Sequence, residues 1–255
     1  MRAMITFALQ SGSNGNSIYV EADGVRLLND AGISGRQAHQ RMAAHGADIR
    51  RVNALLVSHD HSDHIGCAGV YQRLFGFPVY MTSGTYATAG RRLGKVRDVR
   101  TFAAGATLEF GPVRVHTLRT PHDAVEGVAF VVECGRRRLG IFTDLGCTFA
   151  GLADALDSVD AAYLESNYDP EMLANGPYPR ALQDRIRGDG GHLSNEEAAR
   201  LLVGRRRRPD WIALAHLSEH NNAPDVALRT HRAALDPLYP LHVASRYGVS
   251  PALNW

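Results

Sequence analysis

The segment with the densest chemistry is Ser58-His59-Asp60-His61-Ser62-Asp63-His64, where His59, His61, Asp63 and His64 offer three imidazoles and a carboxylate within six residues. Imidazole nitrogen suits zinc and its first-row neighbours, and a mixed imidazole and carboxylate set also accepts manganese or iron. In a tight loop alternate residues face opposite sides. His59 and His61 can therefore share one ion while Asp63 and His64 turn toward a second. A merely solvated loop has no use for four ligating side chains at this spacing.

Two-ion chemistry needs further donors, and these stand at the ends of apolar runs. His122 follows Val113 to Leu118 in Thr120-Pro121-His122-Asp123, Asp144 closes Leu139 to Phe142, and His216 closes Ile212 to Ala215. A sheet presents residues so placed along one edge. Two divalent ions about 3.5–4 Å apart can share a hydroxide near neutral pH and hold both sides of an in-line displacement, which is the chemistry of phosphoester hydrolysis.

The elements that must position these side chains follow from patterning. Ile5 to Leu9, Ser17 to Glu21 and Val25 to Leu28 read as strands around the Ser11 to Asn16 turn and the Asp23-Gly24 hairpin signal. Ser34 is an N-cap for a helix running to about His45. Val52 to Val57 reads as a buried strand that delivers the histidine cluster on its following loop. Further strands are expected at Val79 to Met81, Val113 to Leu118, Val128 to Glu133, Leu139 to Phe142, Val159 to Glu165 and Ile212 to Ala215. Helices are expected at Glu171 to Asn175, Pro179 to Arg187, Asn195 to Gly204 and Asp225 to Leu235. With no linker or low-complexity break, this predicts a single domain over residues 1–255, of α/β (α+β) class, with layered sheets and helices outside.

Bulk properties narrow the setting. A chain of 255 residues with 45% hydrophobic and 21% charged residues has the size and composition of a soluble globular domain. The net charge of +2 is too small to announce a nucleic-acid binder by charge alone. No apolar run reaches the ~18 residues of a membrane helix, and Met4 to Leu9 is too short for a signal peptide. Three cysteines at irregular spacing argue against a disulfide framework. A cytoplasmic enzyme that does not engage a membrane is the expectation; oligomeric state is not legible.

The order His-x-His-x-Asp-His, a lone His, an Asp after an apolar strand and a late His resembles the metallo-β-lactamase superfamily, from Ser11-Gly12-Ser13 to Ala215-His216-Leu217-Ser218. The resemblance implies a four-layer αββα sandwich with metals in a cleft at the sheet edges. It implies that His59, His61 and His122 bind a first ion, that Asp63, His64 and His216 bind a second, and that Asp144 bridges them. Asp30, in Asn29-Asp30-Ala31-Gly32, matches the family's buried Asp that supports the metal loop. The bridging Asp144 favours phosphodiesterases and thioesterases over antibiotic-degrading members, and Cys147 reads as a packed thiol. Gly191-His192-Leu193-Ser194 resembles the Gly-His-Ser motif of tRNA 3′-processing endonucleases, whose histidine can protonate the leaving oxygen; Glu165, in Leu164-Glu165-Ser166-Asn167, resembles its supporting carboxylate. Together these segments are most similar to the YycJ/WalJ-like branch, which implies a 5′→3′ DNA exonuclease with Asp63, Glu165 and His192 in the catalytic set.

The alternative of the same fold is a small-molecule hydrolase acting on a thioester, lactam or cyclic nucleotide. Asp144 and His216 lie too close in sequence to admit the large inserted domain of some nucleases, and no long tRNA-gripping arm is evident. The expected cofactors are two divalent ions, zinc or manganese with iron also suitable, and the expected partner is nucleic acid, DNA ahead of RNA. Ser11, Ser13 and Asn16 are candidate phosphate-binding residues, with a plain turn as the competing reading. Arg205 to Arg208 reads first as a solvated turn after a helix and second as a phosphate contact.

Overall fold

A computed structural model describes residues 4–255. Fourteen strands form two seven-stranded sheets among the described residues. The first holds β1 (Ile5–Gln10), β2 (Ser17–Ala22), β3 (Val25–Asn29), β4 (Ala54–Leu56), β5 (Val79–Thr82) and β6 (Val99–Phe102). The second holds β7 (Thr107–Phe110), β8 (Val113–Arg119), β9 (Val128–Cys134), β10 (Arg137–Phe142), β11 (Ala161–Glu165), β12 (Trp211–Ala215) and β13 (Leu241–Val243). The last strand, β14 (Leu253–Asn254), returns to the first sheet and pairs with β1.

Each sheet is built the same way: an antiparallel meander turns into a parallel run. β1-β2-β3 are antiparallel and β3-β4-β5-β6 parallel. β7-β8-β9-β10 are antiparallel and β10-β11-β12-β13 parallel. The parallel strands send their C-terminal ends to one edge, where α/β proteins place their ligands.

The helices are α1 (Gly35–Ala43), α2 (Ser62–Ile65), α3 (Ala68–Phe75), α4 (Ser83–Leu93), α5 (Leu152–Asp157), α6 (Pro170–Asn175), α7 (Arg180–Arg187), α8 (Asn195–Val203) and α9 (Pro224–Ala234). Capping boxes start α1 at Ser34 with Gln37 and α8 at Ser194 with Glu197. The sheets face each other over one core that includes Ile18, Val20, Leu56, Val115, Phe130, Ile141 and Tyr163. The outer face of the first sheet is covered through Met42 of α1, Tyr71 of α3 and Leu93 of α4. That of the second is covered through Leu156 of α5, Leu202 of α8 and Ala227 of α9. This is the expected αββα sandwich. Because both faces of the inner strands are buried, β11 and β12 read as unbroken apolar runs.

Several boundaries differ from the sequence expectation. The Val52 to Val57 strand contracts to β4, because Val52 closes a 3₁₀ turn at Ile49–Arg51 and Asn53 is drawn to Arg26. β11 starts at Ala161 rather than Val159, whose N–H is spent closing α5 on Leu156. Pro179 caps α7 instead of opening it. Helices α3 and α4 and strands β6 and β7 were not expected. α4 carries two glycines and two threonines, which lower its intrinsic propensity, and rests on Thr82 accepting from Thr85 N–H. Among the described residues no helix is long and apolar enough to cross a membrane.

Candidate metal centre

The strand ends deliver the site. Asp30 follows β3, His59 follows β4, Asp144 follows β10, Glu165 ends β11 and His216 follows β12. Asp30 and Asp144, equivalent ends of the two meanders, both adopt left-handed backbone, with φ of 65° and 55°, and so does His216 at 57°. Such conformations are uncommon outside glycine, asparagine and aspartate and concentrate where a chain must turn a side chain sharply.

Asp30 is fully buried and acts as a hub. Its Oδ1 accepts from Ser58 N–H at 2.8 Å; its Oδ2 accepts from Ser58 Oγ and Asn29 Nδ2 at 2.9 Å and meets His64 Nδ1 at 2.8 Å. This aims His64 Nε2 into the cleft, 3.2 Å from Asp144 Oδ2 and 3.4 Å from Asp63 Oδ2. Burial alone would strip His64 of its proton, but the carboxylates of Asp144, Asp63 and Asp30 outweigh it and hold the imidazole well above its ordinary value. His59 goes the other way: burial, then the imidazoles of His64, His122 and His61, push it well below. Its Nδ1 lies 2.9 Å from Ser58 Oγ, and its Nε2 is buried without a hydrogen-bond partner.

His122 Nδ1 donates to Gly191 O at 2.8 Å, which leaves Nε2 for the cleft, 3.2 Å from His61 Nδ1. His59, His61 and His122 rings thus enclose one corner, with centroids 4.7–5.2 Å apart. The opposite corner holds Asp63, His64 and His216. His216 Nε2 is 3.5 Å from Asp63 Oδ2 and has no hydrogen bond. Its backbone is fixed by His216 N donating to Ser11 Oγ at 2.9 Å and by Asn167 Nδ2 donating to its carbonyl at 2.7 Å. Burial opposes its charge, yet Asp144, Asp63 and Glu165 raise it to about 10. Asp144 lies between the corners: Oδ1 is 3.7 Å from His122 Nε2 and 3.5 Å from His216 Nδ1, while Oδ2 faces His64. Burial would protonate Asp144, but His216, His64 and His122 keep it below the usual carboxylate range.

The donors within 4.8 Å of one another include His59, His61 and His122, and Asp63, His64 and His216, with Asp144 joined to His59 and His64. The buried lone atoms His59 Nε2, His216 Nε2 and Asp144 Oδ2 have no hydrogen-bond partner. A buried polar atom without a partner is costly, and a cation held here would supply what the protein withholds. The residues therefore fit divalent metal.

Beside the metal donors, His192 Nδ1 lies 2.6 Å from Glu165 Oε1, and Glu165 Oε2 accepts from Leu145 N–H at 2.9 Å. Glu165 is wholly buried and His192 is 19% exposed at the side chain. Burial would raise Glu165, but His192 and His216 hold it well below the usual carboxylate range. Gly191 must be glycine: a Cβ there would stand 2.1 Å from Ile186 O. Gly32 is equally constrained, since its Cβ would stand 1.7 Å from Asp63 O.

The structure brings together every metal candidate named from the sequence, with Asp30, Glu165 and His192. Within the Ser11 to Asn16 loop, Ser11 accepts from His216, and Asn16 Nδ2 reaches Gly12 O and Asp63 Oδ2, at 3.1 and 3.2 Å. Ser13 is exposed and accepts from Arg246. Arg205 to Arg208 lies away from the cleft, around Asp157 and Asp160 at the opening end of β11, where Arg207 pairs with Asp160. Sequence reasoning missed Asp123, whose Oδ1 is 3.5 Å from His61 Nε2 and whose Oδ2 accepts from Arg185 Nε at 2.5 Å. Its adjacency to His122 was the available signal. It also missed Asn167 and the buried Asn195–Asn222 pair beneath it, which carry no spacing signal.

Residues 11–204 match the metallo-beta-lactamase superfamily. The chain belongs to that superfamily, and its site is that of a metal-dependent hydrolase. Within the superfamily it falls in the YycJ/WalJ-like branch: it is 35% identical over 222 residues to exodeoxyribonuclease YycJ of Bacillus anthracis, covering 86% of this chain and 84% of that protein. It is 34% identical over 229 residues to exodeoxyribonuclease WalJ of Streptococcus pneumoniae, covering 87% and 84%. The fold matches the metallo-beta-lactamase fold protein YhfI of Bacillus subtilis with a TM-score of 0.76 over 100% of both chains at 16% identity.

Proposed function

We propose that the protein is a dinuclear metal-dependent phosphodiesterase that degrades DNA exonucleolytically in the 5′→3′ direction. The observation that carries this reading is the pair of three-donor groups separated by Asp144, with the His192–Glu165 pair beside them. The exodeoxyribonuclease relatives YycJ and WalJ support DNA as the polymer. His59, His61 and His122 would hold one ion and Asp63, His64 and His216 the other, with Asp144 as a donor available between them; zinc and manganese suit this donor set best. Bound there, the ions activate water and neutralise phosphate charge.

The chain's own residues do the rest. Glu165 takes the Nδ1 side of His192, which leaves Nε2 free for substrate. That nitrogen is the one from which His192 would pass a proton to the departing sugar oxygen, a role typically worth about 10²–10⁴ in rate. Asp30 and Ser58 keep His64 and His59 in one tautomer and one orientation, Asn167 anchors the His216 backbone, and Asn16 holds the Asp63 carboxylate. Gly32 lets the Asp63 backbone approach the first meander closely.

The test is hydrolysis by purified protein with Mn²⁺ or Zn²⁺ of 5′-phosphorylated DNA, RNA, bis-p-nitrophenyl phosphate and a β-lactam. Release of mononucleotides from the 5′ end of DNA is expected. Turnover of the lactam alone would overturn the reading.

A further inference from the structure

A compact hydrolase must still grip a polymer, and the arginine run at 205–208 faces away from the cleft. The strongest unassigned feature beside the site is the 245–250 turn. Tyr247 on this turn is 70% exposed. The turn is nonetheless braced: Ser245 N donates to Ser250 Oγ at 2.8 Å, Gly248 N to Ser245 Oγ at 3.1 Å, and Ser250 N to Ala8 O at 2.9 Å. Arg41 NH2 holds the Tyr247 carbonyl at 3.0 Å. The Tyr247 ring serves no core, yet its backbone is held at both ends.

The turn abuts the second metal corner. Ser11, which fixes His216, donates its N–H to Ser245 O at 2.9 Å. Arg246 NH1 donates to Leu217 O, the residue after His216, at 2.6 Å, and NH2 reaches Ser13 Oγ and Glu219 Oε2 at 3.2 Å. The Arg246 side chain is only 9% exposed, and its Nε is buried without a partner. Its guanidinium carbon lies 5.7 Å from the Tyr247 ring centre. Tyr247 divides two cavities. One, of about 400 Å³, is lined by Leu217, Ser218, Pro224, Val243 and Arg246. The other, of about 240 Å³, is lined by Gln10, Asn14, Ser34 and Arg41. A part-apolar hollow beside an exposed aromatic face is what a single-stranded nucleic acid needs for a stacked base, and the ring is set at the rim by its hydroxyl donating to Glu219 Oε1 at 3.2 Å, the carboxylate that also pairs with Arg246.

We propose that Tyr247 is the platform on which a nucleobase of the bound strand stacks, with the base seated toward the larger cavity while its neighbouring phosphate lies at the metal centre. This inference rests on the DNA-hydrolase reading above. Stacking engages the π-face that every base has, so the grip is indifferent to sequence, as progressive degradation requires.

The test uses metal-loaded protein and a 5′-phosphorylated, phosphorothioate-linked single-stranded oligodeoxynucleotide that resists cleavage, with binding followed by fluorescence anisotropy. Tyr247→Ala should weaken binding by about 5- to 150-fold, the range of one lost base–aromatic stack. Tyr247→Phe and Tyr247→Trp should restore it, since the ring and not the hydroxyl carries the contact. 2-Aminopurine moved along the oligonucleotide should be quenched at one position by the wild type and the Phe variant but not by the Ala variant. An abasic site at that position should weaken the wild type as much as Tyr247→Ala does and leave the Ala variant unaffected. Equal binding by wild type and Tyr247→Ala, or an abasic penalty of the same size in both, overturns the platform. If the wild type hydrolyses DNA and these tests are flat, only the platform falls. If the wild type neither binds nor hydrolyses DNA, the DNA reading falls and takes the platform with it.

Discussion

Asp30 touches no candidate ion, yet two substitutions there should separate what it does for the fold from what it does for the metals. Asp30→Ala removes the acceptor of Ser58 N–H and of His64 Nδ1–H, both within 2.8 Å and both buried. Ser58 Oγ can turn to His59 Nδ1, 2.9 Å away, but Asn29 Nδ2 loses its acceptor as well, so three donors are stranded. At about 1–3 kcal/mol each, the metal-free protein should lose about 3–9 kcal/mol. Alanine at φ 65° adds to that loss. Asp30→Asn is different. Asparagine tolerates the left-handed backbone and keeps an acceptor for Ser58, but its amide meets Nδ1 of His64 with hydrogens. The imidazole escapes by carrying its proton on Nε2, the atom that faces Asp63 and Asp144. Loss of stability should then be small, while affinity for metal at the Asp63, His64 and His216 corner falls about 10–100-fold, the usual cost of a lost supporting hydrogen bond. Urea unfolding in chelator reads the first effect and competitive metal titration reads the second. An Asp30→Asn protein that binds metal at that corner as tightly as the wild type would refute the tautomer argument.

Three further outcomes follow from the same geometry. His192→Ala should retain its metals by elemental analysis and lose about 10²–10⁴ in kcat; full turnover would remove His192 from proton transfer. In the metal-free protein His216 stays protonated up to pH about 10, so an ion must displace that proton, and affinity at the second corner should rise as pH rises toward that value. Calorimetry in buffers of different ionisation enthalpy should show proton release on binding at pH 7, and buffer-independent heats would contradict it. Arg205→Ala and Arg207→Ala should lower the unfolding temperature by removing contacts to Val159 and Asp160. They should leave the salt slope of DNA binding unchanged, whereas a slope reduced by about 1 per arginine would put this run on the DNA path.

Much of the site was legible because its donors are chemically rare types at strand ends. His59 to His64 announce metal by spacing, and Asp144 and His216 each close a short unbroken apolar run of strand length. Layered sheets with helices outside followed from the same runs, and the four-layer αββα order from the family resemblance. What escaped is held by contacts between segments distant in the chain. Nothing near Asp123 in sequence indicates Arg185, and nothing near Asn167 indicates that its amide fixes the His216 carbonyl. Helices α3 and α4 escaped for another reason. Their stability comes from packing Tyr71 and Leu93 onto the first sheet, with Gly69 so close to Leu93 that a Cβ would stand 1.9 Å from its carbonyl oxygen. Tertiary contact overrides weak local propensity there.

Each three-donor corner draws on both sheets: His59 and His61 come from the first half of the chain and His122 from the second, as Asp63 and His64 face His216. An ion held in either corner is therefore a rivet through the sandwich, closing a long loop of chain much as a disulfide would, in a protein whose cysteines are all free. Pulling the sheets apart would first have to break several coordinate bonds. The loaded protein should on that account unfold slowly and resist protease, and a chelator should act as a release catch.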